Sequence, residues 1–164
     1  MPSFIIMTNK ERLSKLRQRI LKTFPKIPPP GFDEITDHRC DECNDVRDVF
    51  FGIKWWEADD DFIGDNFGNH PLFTHKSYHY YLPAFLIQSL RRFKTYNDVV
   101  RFVIYSLSPS DRIDKTAFMK DRKSFFSEEQ RDVIVSYLEI VLGDEEMKVH
   151  HSDAKKALQY WKDE

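Results

Sequence analysis

The residues best equipped for chemistry stand together at His38-Arg39-Cys40-Asp41-Glu42-Cys43. Two thiolates three residues apart lie on one face of a helix or close around one ion in a tight turn, and an imidazole just upstream adds a borderline-soft nitrogen that suits zinc. A tetrahedral site takes a fourth ligand. His75 and His79, spaced i, i+4, present two imidazoles on one helix face. Cys40, Cys43, His75 and His79 therefore make one candidate set, and His38, Cys40, Cys43 and His79 another. Two other readings of the cysteines stand beside the metal. Free Cys is among the most buried residue types, and Cys43 continues an apolar stripe, so both can be reduced structural thiols. A redox pair normally opens a helix after a strand in a βαβ unit, and no such unit is visible. No cofactor is required by these residues; zinc is the one they would accommodate.

Other chemistries lack their parts. There is no Gly-x-Ser-x-Gly elbow, no Gly-rich phosphate loop and no His-Glu-x-x-His helix. Asp59-Asp60-Asp61 lacks the spaced oxygens and sixth-position glycine of an EF-hand and reads as a solvated acidic loop. The aromatics from Tyr78 to Phe85 have the helical spacing of a core rather than of a base-stacking platform. No catalytic machinery emerges.

Charge is unevenly spread. Residues 10–26 carry a net charge of +6, whereas residues 33–65 carry −9. Such an asymmetry serves a charged partner or lets the two regions face each other in the fold. Asp59, Asp60 and Asp61 on one side, and Arg12, Lys15, Arg19 and Lys22 on the other, are the residues that would act. The resulting expectation is a non-catalytic interaction protein, for instance one that neutralises a basic toxin, steered by opposite charge. A whole-chain pI near 6.3 argues against nucleic acid as that partner.

The elements that must position these residues read as helices. Thr8 followed by Glu11 has the form of a capping box opening a helix over about 10–23, with Leu13, Leu16, Ile20 and Phe24 as its apolar stripe. Pro25 ends it, and the prolines at 28–30 predict a stiff connector. A second helix is expected over 41–56, a loop over 58–71, and a third helix after Thr74, broken or kinked near Tyr80 by Pro83. Thr95 or Asn97 should cap a helix to Leu107 that is central because it is apolar on nearly every side. A short helix is expected at 114–122. Ser127 with Gln130 opens a further helix ended by Gly143, and the last begins at Ser152.

The chain also resembles a bacterial family of small proteins known only as a domain of unknown function. The likeness is carried by His38-x-Cys40-x-Glu42-Cys43, Trp55-Trp56, Leu72-Phe73-Thr74, the stretch from Tyr80 through Pro83 to Leu86, and Ala157-Leu158-x-Tyr160-Trp161. It spans about 37–161 and implies a bacterial source and an intact domain, without an activity.

At 164 residues with 24 aromatics, only 5 Gly and 2 Cys, the chain is sized for one domain and is neither disordered nor a secreted disulfide scaffold. The expected fold is all-α: a compact bundle of about six helices, with residues 3–7 as a candidate short strand. Residues 1–32 form the basic helix and connector, packed on or appended to a core at 33–164. Phe50, Phe85, Leu86, Phe102, Val103, Tyr137 and Leu138 are expected in that core. With no apolar run of spanning length a cytoplasmic protein is expected, and the bundle is expected to be a monomer or weak dimer.

Overall fold

A computed structural model describes residues 6–91, 98–109 and 113–163, with side chains throughout these save at 70 and 113–116. Eight α-helices occur among the described residues: α1 (Asn9–Thr23), α2 (Asp41–Phe50), α3 (Asp60–Asn66), α4 (His75–Arg91), α5 (Asp98–Leu107), α6 (Ile113–Ser124), α7 (Glu128–Leu142) and α8 (His151–Lys162). Short 3-10 turns fill Phe32–Glu34, Trp55–Glu57, Phe67–Leu72 and Glu145–His150. No strand occurs among the described residues; the candidate at 3–7 and the caps at Thr95 and Asn97 fall wholly or largely outside them.

The two capping boxes form as the sequence predicts. Thr8 Oγ1 accepts the Glu11 amide while Glu11 accepts the Thr8 amide, both at 3.2 Å. Ser127 and Gln130 repeat the exchange at the start of α7. The stripe of α1 then buries Leu16, Ile20 and Phe24 against α7 and α4. The connector after it is fastened to the core: Trp55 Nε1 donates to the Pro25 carbonyl at 3.1 Å and the Tyr80 hydroxyl to that of Ile27 at 2.9 Å.

Four expectations are corrected. Helix α2 stops at Phe50 instead of reaching Trp56, because Gly52 turns the chain at φ 77°, a left-handed conformation that glycine adopts without a side-chain clash. The expected loop at 58–71 holds α3, which together with the short α6 makes eight helices among the described residues instead of about six; the N-cap of α3 is Asp59, whose carboxylate accepts the Phe62 amide at 2.8 Å. Helix α4 runs through Pro83 without a break. Almost all of its length is buried, so packing on every side holds the turn in which the proline lacks a donor. Finally, α5 is not central all round, since Val100, Val103, Ile104 and Leu107 are buried whereas Tyr105 is exposed and Phe102 only half-buried.

Helix α4 is the axis of the core. Phe50 of α2 is enclosed edge-to-face by Phe62, Phe73 and Tyr81 at centroid distances of 5.1, 4.9 and 4.9 Å. The Tyr81 hydroxyl lies 2.9 and 3.0 Å from the Phe50 and Ile53 carbonyls, so it also locks the turn after α2. Trp161 closes the other side, donating from Nε1 to the Leu107 carbonyl at 2.9 Å.

Candidate metal centre

The start of α4 anchors the segment that leads into the cysteines. Thr74 Oγ1 caps α4 by accepting the Ser77 amide at 3.1 Å, and donates to the Glu34 carbonyl at 2.6 Å. The Thr74 amide donates to the Ile35 carbonyl at 3.0 Å, and Lys76 pairs with Glu34. That pair, then the Gly31 amide, hold the Glu34 carboxyl below the usual range. With Ile35 and Thr36 buried, residues 37–40 are left as a short span between two fixed ends.

Arg47 secures the far end. It is 7 % exposed and sends its guanidinium to Thr36 Oγ1, to the His38 carbonyl at 3.2 Å and to Asn44 Oδ1. One forked cation thus joins the loop to α2. Sequence reasoning missed it, although its place four residues after Cys43, next to the inward-facing Val46, is a signal: a charge beside a buried stripe must have partners.

His38, Cys40 and Cys43 converge. Their ligand atoms all lie within 4.8 Å of one another, and His38 Nδ1 is 3.9 Å from Cys43 Sγ. Cys40 is the N-cap of α2, its Sγ accepting the Cys43 amide at 3.3 Å. That amide, then the Cys43 thiol and His38, hold the Cys40 thiol below its ordinary pKa, whereas burial pushes Cys43 up. A zinc ion with bonds of about 2.3 Å to sulfur and about 2.0–2.1 Å to nitrogen sets tetrahedral ligands roughly 3.6–3.8 Å apart. The 3.9 Å between His38 Nδ1 and Cys43 Sγ is close to that requirement, and the other pairs lie within 4.8 Å. Cys43 is fully buried, Cys40 half-buried and His38 exposed, so the cluster opens toward solvent. A groove of about 520 Å³ lined by Asp33, Asp37, Arg39 and Asp41 reaches Cys40.

His75 and His79 lie outside this group. They do share α4, but their rings pack elsewhere: His75 against Phe118 and Phe125, His79 against Phe126 with Nε2 at 2.8 Å from Gln130 Oε1. Burial chiefly lowers both imidazole pKa values. The four-ligand sets that used them are therefore not assembled; the i, i+4 spacing gave a shared face, and that face meets aromatics instead of α2.

The charged candidates are also placed. Arg12 and Lys15 are exposed on α1, and Arg19 donates to Ser136 Oγ of α7 at 2.8 Å. Asp59 caps α3, with Asp60 and Asp61 in its first turn. No helix among the described residues is long and apolar enough to cross a membrane.

No curated protein and no solved structure matches the chain. Residues 31–164, from the end of the proline connector through α8, match the model of DUF6714, a family of unknown function, and the chain belongs to that family.

Proposed function

We propose that the protein is a zinc-binding module in which His38, Cys40 and Cys43 hold one Zn²⁺ and the groove beside Cys40 serves the fourth coordination position. The observation that carries this reading is the convergence of one imidazole and two thiols within 4.8 Å. Two soft sulfurs with a nitrogen select zinc over the hard cations, which take oxygen. An open fourth position is the pattern of sites whose metal also binds a ligand or a partner's side chain. Bound metal would tie residues 38–40 to the first turn of α2, making that segment responsive to metal. The expectation of a partner surface at 33–65 rests on charge, and in that region Asp59 serves as a helix cap and Glu34 pairs with Lys76.

The test is metal analysis of protein purified without chelator, followed by cobalt substitution. The expected result is close to one metal per chain, thiolate-to-cobalt absorption, and loss of both in Cys43→Ser and Cys40→Ser. Metal uptake should release protons, because both thiols must ionise. Metal-free protein that takes up neither ion at neutral pH would sink the reading.

A further inference from the structure

A second hollow lies on another side of the molecule, between α1, residues 55–59 and α4. Its volume is about 160 Å³. That is close to the roughly 150 Å³ of an apolar cavity able to take benzene, so it is sized for one side chain and not for a nucleotide. Trp55, Ala58, Ala84 and Ile87 line it and are nearly fully buried, which makes a built floor; Leu21 and Trp56 complete the apolar lining.

Polar groups of three kinds meet there. Gln88 is 5 % exposed; its Nε2 donates to the Ala58 carbonyl at 3.2 Å, fixing the amide, while its Oε1 has no hydrogen-bond partner. That oxygen is closed to solvent, so the amide is a fixed part of the wall. Arg17 from α1 and Arg91 from the last turn of α4 line the same hollow, both exposed. Among the described residues neither has an ion-pair partner. Glu57 and Asp59 supply negative charge; Glu57 makes only a loose, solvent-exposed pair with Lys54 at 3.8 Å, and Asp59 accepts the Phe62 amide through one oxygen.

From this combination we propose that the hollow binds a free α-amino acid with a large apolar side chain. The side chain lies among Leu21, Trp56 and Ile87. Its carboxylate is taken by Arg17 and Arg91, whose planar forks match that geometry. Its ammonium faces Glu57 and the free oxygen of Asp59. A carboxylic acid without an amine sets its charge beside Glu57 and Asp59 with no cation between them, and an amine without a carboxylate leaves both guanidiniums unused. This site shares no residue with the metal centre.

The test is calorimetric titration of the full chain with L-phenylalanine and L-leucine, beside phenethylamine and 3-phenylpropionate. Saturable binding of at least one amino acid is expected, weakened roughly tenfold or more when either charged end is missing, the size of a lost hydrogen bond to a charged group. The double variant Arg17→Gln, Arg91→Gln should lose binding by at least the same factor with an unchanged melting curve, because both side chains are exposed. The proposal is overturned if neither amino acid binds at millimolar concentration, if the truncated compounds bind equally well, or if the double variant binds as the parent does.

Discussion

An imidazole kept away from water resists protonation, and His79 is such a group. Its ring is packed on Phe126 at 4.7 Å and on Phe24 at 6.2 Å, and its Nε2–H donates to Gln130 Oε1, the same oxygen that closes the capping box of α7. Burial is the chief cause of its lowered pKa, with the Gln130 bond opposing it. In the unfolded chain a histidine protonates near pH 6.5. The unfolded state therefore binds the proton more readily, and the stability this group contributes is present above that pH and is lost as pH falls through the folded value. Melting temperature followed from about pH 8 to about pH 5 should fall on the acid side, and His79→Leu should make the fall shallower. Parallel curves for parent and variant would show that His79 is not a source of the acid sensitivity. At this scale the closeness of Cys40 and Cys43 was legible because an N-cap and the residue three positions on meet at any helix start, whereas His38 is brought in by the hold of Arg47 on its carbonyl and on Thr36. The partners of His75 and His79 were not, since a helical face is local while the neighbour it meets is a product of the whole fold.

Element boundaries were legible where a side chain closes on its own backbone. Thr8 with Glu11 and Ser127 with Gln130 are such cases, and both capping boxes form. They were misread where a tertiary contact decides. The glycines at 64 and 68 and the run of acids suggested a loop, yet Asp59 starts a helix and Ile63 and Phe62 pack it down. Pro83 suggested a break, yet burial carries α4 through it. What joins α2, α3 and α4 is Phe50, which is fully buried and touches an aromatic from each of α3, α4 and the turn before α4. Deleting a buried phenylalanine ring costs about 3–5 kcal/mol. Phe50→Ala should lower stability by that amount in denaturant titration and, by loosening the end of α2, weaken metal retention at its start. A loss below about 1 kcal/mol would mean that these three elements are not held through this ring.

For the whole molecule, the charge asymmetry has two physical uses that a pair of substitutions at one residue can separate. If the acids of 33–65 bind the basic first helix, removing any one of their charges should loosen α1. The packing says otherwise: α1 lies chiefly against α7 and α4, Arg19 bonds to Ser136, and no ion pair among the described residues joins Arg12, Lys15, Arg19 or Lys22 to the 33–65 segment. Asp59 instead acts locally, as the cap of α3. Asparagine caps a helix nearly as well as aspartate, whereas alanine at that place costs typically about 1 kcal/mol. Asp59→Asn should therefore melt close to the parent, Asp59→Ala several degrees lower, and α1 should keep the same resistance to proteolysis in both. Equal destabilisation of the two variants, with early cleavage between α1 and the connector, would instead make charge the agent that holds the N-terminal helix in place.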